Sequence, residues 1–119
     1  GSISATIKAV EVVDQCLKRI AEATLAKGGA MVVTADHGNA ETMLNLSTGG
    51  VDTEHSTNPV PLIVVAKEFQ HSSTLQFPSG VLADVAPTVL ALMGITKPGT
   101  MMGQDLLGIK ILNNSFEAE

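Results

Sequence analysis

The stretch Ala30-Met31-Val32-Val33-Thr34-Ala35-Asp36-His37-Gly38-Asn39 decides how this chain is read. Its first half is an apolar run, the wording of a short strand inside a sheet covered on both faces. Its second half sets a carboxylate and an imidazole at the strand's end, followed by a glycine that lets the backbone turn away. In layered α/β sheets, ligand sites gather beyond the carboxyl ends of strands, which is where Asp36 and His37 fall. A second apolar run, Leu62 to Ala66, reads as the next strand, and His55 stands in the polar segment ahead of it. If the two strands run antiparallel, the end of one and the start of the other share a sheet edge. Asp36, His37 and His55 are then expected to meet there with no crossover.

Before that stretch, residues 4–27 read as an amphipathic helix. Ile7, Val10, Val13, Leu17, Ile20 and Leu25 recur at mostly three- and four-residue steps, the pattern of one buried face. Ser2 or Ser4 can cap its start, and Lys27 with Gly28-Gly29 makes its stop. Cys16 falls beside the apolar face, where a buried structural thiol is expected. After the stretch, residues 35–61 are rich in Asn, Thr, Ser, Gly and Asp, and a connection of that length in a compact fold tends to carry function. Residues 68–80 are mixed, with Leu75-Gln76-Phe77 a candidate short edge strand. Asp84 to Met93 reads as a second helix, with Asp84 as N-cap, Pro87 tolerated in the first turn, and Gly94 then Pro98 ending it. Leu106, Leu107, Ile109, Ile111 and Leu112 form a closing apolar cluster. Without repeats or an internal boundary, residues 1–119 read as one segment of an α/β layered fold.

The 119 residues suffice for one modest core, and with no Trp, no Tyr and three Phe that core must be aliphatic. A net charge of −5 leaves no basic stripe to neutralise phosphates, which argues against nucleic acid. An acidic chain still binds a phosphorylated metabolite when cations supply the positive charge locally. No run approaches the roughly 20 apolar residues of a membrane span. Lys8, Glu11 and Asp14 interrupt the first helix as no signal peptide would tolerate. A lone cysteine, Cys16, forms no internal disulfide, so a reducing cytoplasm is the expected compartment.

A carboxylate with neutral imidazoles suits Mn²⁺, Zn²⁺, Fe²⁺ or Co²⁺. Adjacent Asp and His side chains reach one ion jointly only where the backbone turns, a turn expected at Gly38. Two ions close together would suit phosphoryl or sulfuryl transfer. Asp36, His37 and His55 supply too few bonds for such a pair, so the site reads as incomplete. From spacing alone, Asp36 to Asn39 fits a polar turn after a strand as well as it fits a ligand pair. Glu41, Asp52 and Glu54 read as a solvated loop face, His71 as a surface histidine, and Thr57-Asn58-Pro59-Val60-Pro61 as a stiff lead-in to the second strand.

The wording of several segments adds to this. Thr34-Ala35-Asp36-His37-Gly38-Asn39-Ala40-Glu41 and Glu54-His55-Ser56-Thr57-Asn58-Pro59-Val60-Pro61-Leu62 closely resemble the carboxyl-terminal part of the cofactor-independent (2,3-bisphosphoglycerate-independent) phosphoglycerate mutases. So do the opening Ala5 to Glu11, Leu82-Ala83-Asp84-Val85-Ala86-Pro87-Thr88, Leu92-Met93-Gly94-Ile95 and Met102-Gly103-Gln104-Asp105-Leu106. The resemblance covers essentially the whole chain in order. It implies the alkaline phosphatase superfamily, with a mixed sheet sandwiched by helices and two divalent ions, Mn²⁺ foremost, at the sheet edge. It further implies an isomerase of glycolysis and gluconeogenesis, which interconverts 3-phosphoglycerate and 2-phosphoglycerate through a phosphoserine without 2,3-bisphosphoglycerate. Matched by motif, Asp36 and His37 would hold the ion that activates the serine, and His55 would hold the other.

The family's nucleophilic serine and its neighbouring aspartate have no counterpart here, and neither Ser47 nor Ser56 matches the nucleophile's surroundings. The family's further Asp and His ligands belong to a motif ending in His-Thr-Gly before the first helix. Gly1 is either that motif's last residue or, with Ser2, a cloning scar. The substrate-binding insertion is missing too. The chain is therefore expected to be a carboxyl-terminal segment that works with the rest of a longer parent and has no turnover alone. Two alternatives stay open: a non-catalytic metal- or partner-binding module, and a segment of a related phosphopentomutase or phosphatase.

Overall fold

Ser2 starts the first helix: its hydroxyl accepts the Ala5 N–H at 3.4 Å, satisfying one of the donors a helix start leaves free. From there α1 runs Ile3–Ala26 and stops at Gly28, which takes a φ of 71°. Residues 2–43, 49–50, 55–70 and 76–108 are those that this computed structural model describes. They fall into two units, Gly1–Gln70 and His71–Glu119.

In the first unit α1 is followed by β1 (Met31–Val33) and β2 (Ile63–Val65). The pairing is antiparallel, as expected from the placement of the ligands, with Met31 opposite Val65, Val32 opposite Val64 and Val33 opposite Ile63. A 3-10 turn at Lys67–Phe69, which the sequence pattern does not announce, follows β2. The chain thus combines helices with a two-stranded antiparallel sheet, consistent with the α/β class.

Burial differs from expectation. The apolar stripe of α1 is largely uncovered: Ile7 is 55% exposed, Val10, Val13 and Ile20 are exposed as well, and Leu17 and Leu25 are half-buried. Cys16, expected to be a buried thiol, is exposed for the same reason. The residues of β1 are only half-buried, so the two-sided cover that their composition calls for is not provided among the described residues. Among the described residues of this unit, Ala66, just past β2, is the buried hydrophobic one.

The second unit is organised by α2 (Val85–Leu92), entered through a 3-10 turn at Leu82–Asp84 and ended by Gly94 at a φ of 67°. Pro87 is buried in its first turn. Asp84 does not cap α2 with its side chain. Its Oδ2 accepts the Val81 N–H at 2.8 Å and its Oδ1 accepts the Gln104 N–H at 2.7 Å. Thr88, 0% exposed, donates to the Asp84 carbonyl at 2.7 Å and accepts the Leu106 N–H at 3.0 Å. These bonds stitch residues 104–106 to the start of α2 and bury Leu106 and Leu107. Gly103 is needed for the approach, because a Cβ there would collide with the Ala83 carbonyl. Of the candidate edge strand, Gln76 and Phe77 are irregular and Leu75 lies outside the described residues, as do His71, Ile109, Ile111 and Leu112.

Candidate metal centre

Beyond β1 and β2, Gly38 and Ser56 form an antiparallel bridge, in which the Ser56 N–H donates to the Gly38 carbonyl at 2.9 Å. Thr34 to His37 span the interval on one side and Thr57 to Leu62 on the other, so the slack lies in the segment holding Pro59 and Pro61. The bridge fixes what the three candidate ligands can do. With Gly38 opposite Ser56, His37 and His55 are diagonal neighbours across the pair, a placement within reach of ring side chains. Their ring centroids lie 4.0 Å apart. A slip of one residue would send one imidazole to the opposite face.

The backbone bends at Asp36 and His37 themselves, not at Gly38. Gly38 is buried, and its φ is not among the positive values that other glycines of the chain adopt. It is needed for space: a Cβ at Gly38 would run into the Ser56 hydroxyl and the Glu41 carboxylate.

The bend turns the Asp36 carboxylate back beside the His37 ring. Oδ1 of Asp36 and Nε2 of His37 are 3.6 Å apart, while the other ring nitrogen, Nδ1, lies 3.1 Å from the Gly38 carbonyl. A carbonyl only accepts, so in the neutral ring Nδ1 carries the proton and Nε2 presents a lone pair towards the carboxylate. Two electron-pair donors then face a common gap that two bonds of about 2.0–2.2 Å to a zinc-sized ion can span. A backbone carbonyl that fixes the tautomer of a metal-binding histidine is a recurrent second contact of such sites. Solvent reaches the pair, with Asp36 88% and His37 42% exposed at the side chain. The donor set therefore fits part of a divalent centre. Among the described residues, no group of three or more His, Cys, Asp or Glu side chains converges as a cage. His55 stands beside the Asp36–His37 pair, adjacent but not completing it.

Glu41, read from the sequence as part of a solvated face, is exposed, and it also joins the two segments that carry the candidate ligands. Its carboxylate accepts from the Ser56 hydroxyl, from the Asn39 N–H at 2.8 Å and from the Asn58 amide at 3.3 Å. Asn58 also donates to the Thr42 hydroxyl at 2.7 Å. The Ser56 hydroxyl foremost, then Glu41's own backbone N–H and the Asn39 and Asn58 donors, hold the Glu41 carboxyl down at about 2. The only local signal for this was the Asn39-Ala40-Glu41 wording; the Ser56 partner lies too far along the chain for any periodicity to reveal. Asp52 and Glu54 lie outside the described residues.

Compared with known proteins, residues 1–97 match the Metalloenzyme superfamily, and the chain belongs to it. Within that class it is similar to proteins named 2,3-bisphosphoglycerate-independent phosphoglycerate mutase. That of Rhodopirellula baltica is 54% identical over 107 residues, covering 90% of this chain and 19% of the relative. That of Vesicomyosocius okutanii is 51% identical over 110 residues, covering 92% and 21%. That of Clostridioides difficile is 48% identical over 107 residues, covering 90% and 21%. The chain thus spans about a fifth of the length of these relatives.

Proposed function

We propose that this chain is the carboxyl-terminal, metal-binding segment of a cofactor-independent phosphoglycerate mutase, an isomerase interconverting 3-phosphoglycerate and 2-phosphoglycerate. The observation that carries this reading is the meeting of Asp36, His37 and His55 beside one bridge, in a chain about half identical to mutases of that name. In this reading the parent is an α/β/α layered, alkaline phosphatase-like fold with a mixed sheet, to which β1 and β2 contribute. It works in the cytoplasm.

Asp36 and His37 would hold one divalent ion, Mn²⁺ foremost, and His55 a second. Bound there, the ions would neutralise phosphate charge and lower the pKa of a serine hydroxyl so that it becomes a usable nucleophile. This chain's own part is to orient. The Gly38 carbonyl fixes the His37 tautomer, and the Gly38–Ser56 bridge sets the two imidazoles side by side. The phosphorylated serine, the remaining ligands and the groups that grip the glycerate come from the rest of the parent chain.

A coupled assay of 2-phosphoglycerate formation tests this in the parent without added 2,3-bisphosphoglycerate. Turnover with Mn²⁺, its loss with chelator and no turnover by the 119-residue chain alone are expected. A parent that only releases inorganic phosphate, or that isomerises a pentose phosphate instead, would overturn the assignment. Activity of the isolated chain would overturn the count of ligands.

A further inference from the structure

The Gly38–Ser56 bridge has two faces, and they hold different chemistry. Neighbouring side chains on an extended segment alternate between faces. His37 and His55 share one face, with their rings 4.0 Å apart. The space a Cβ of Gly38 would enter is on the other, and the Ser56 hydroxyl and the Glu41 carboxylate fill it. Both oxygens of the carboxylate are engaged there: Ser56 and Asn58 donate to Oε1, and the Asn39 N–H donates to Oε2. The Asn58 backbone N–H adds a contact of 3.4 Å to the Ser56 hydroxyl. Residues 39–42 are thereby tied to residues 56–58 from behind the ligand face.

We propose that Glu41 is a positioning residue for the metal centre, a clamp that fixes the segment carrying Asp36 and His37 against the segment carrying His55 without itself touching an ion. The proposal rests on the reading of Asp36, His37 and His55 as ligands. Two observations separate it from a direct ligand role. Both Glu41 oxygens already accept hydrogen bonds, and the carboxylate sits against Gly38 and Ser56, on the face of the bridge that alternation sets opposite the imidazoles. The requirement for glycine at position 38 follows as well, since a methyl group there would wedge the clamp open.

The test uses the full-length parent with Mn²⁺ as probe and reads two quantities, the Mn²⁺ dissociation constant by chelator competition and the Tm of the metal-free protein. Glu41→Ala is expected to weaken Mn²⁺ binding about 10- to 100-fold, the usual loss when the support of a ligand is removed, and to lower the metal-free Tm by only a few degrees. Glu41→Gln keeps an oxygen for Ser56 and Asn58 and loses only the acceptor for Asn39, so it is expected to restore most of the affinity. Ser56→Ala should match Glu41→Ala, and the double variant should be no worse than either, because the pair acts as one unit. Gly38→Ala, which removes no polar group, should show the same loss and covers the case in which Glu41→Ala does not fold. Wild-type affinity in Glu41→Ala and Gly38→Ala, beside a loss in His55→Ala, would overturn the clamp and leave the ligands standing. A metal-free Tm that falls in step with affinity, with no rescue by Gln, would reduce Glu41 to a general stabiliser and overturn it too. Wild-type affinity in His55→Ala would remove the ligand assignment, and the clamp with it.

Discussion

Asp84 stands where a side chain ordinarily caps a helix, yet its two oxygens serve Gln104 and Val81 instead of the start of α2. Those backbone donors, Gln104 foremost, hold the Asp84 carboxyl below the ordinary aspartate value of 3.8, against the opposite push of burial. A group with a lowered folded pKa stabilises fully above its unfolded value and loses that contribution as pH falls through the folded one. The stability difference between the wild-type chain and Asp84→Asn is therefore expected to be constant from neutral pH down to about 5 and to shrink below about 4, measured by urea unfolding across pH. A difference that stays level down to pH 2 would contradict the charge-assisted role. At this scale the sequence brought out Asp36, His37 and His55, and the structure places these three near one another. The sequence marked Glu41 only as part of a solvated face and Asp84 only as a helix cap, because Ser56 and Gln104 are chosen by the folded chain path and not by any local spacing. Gly38 was rightly singled out for the wrong reason: it provides room, not a turn.

The elements show the same division. The limits of α1 follow from Ser2, the periodic run and Gly28, all of them local signals, and the antiparallel pairing of β1 and β2 is the one expected from the placement of the candidate ligands. The two 3-10 turns were not legible, since three residues carry no period. The burial of α1 was not legible either, because amphipathicity states that a face wants cover and not that the cover is within the same 119 residues. A groove of about 640 Å³ opens along its first half, lined by Ile3, Ile7 and Val10 together with Ala40, Thr42 and Met43. If the rest of the parent covers this face, one substitution should give two answers. Ile7→Ala is expected to change the stability of the isolated chain by less than about 0.5 kcal/mol, and that of the parent by about 2–5 kcal/mol, both by denaturant unfolding. A small effect in both would mean that the stripe stays open in the parent.

Across the whole molecule, the described residues bury little beyond Ala66, Leu106 and Leu107 as hydrophobic core, and the chain spans about a fifth of the relatives it matches. Among those residues no helix is long and apolar enough to cross a membrane. The candidate ligands are open in the same way: three donors lie near one bridge, and the Asp36–His37 pair is open to solvent. Everything said of function rests on these donors gripping cations. The most direct measurement is anomalous X-ray scattering at the manganese edge from crystals of the parent grown with Mn²⁺. Peaks are expected within bonding distance of the Asp36 carboxylate and His37 Nε2, and of a nitrogen of His55. An occupied manganese site elsewhere, with no peak at these three side chains, would contradict the account.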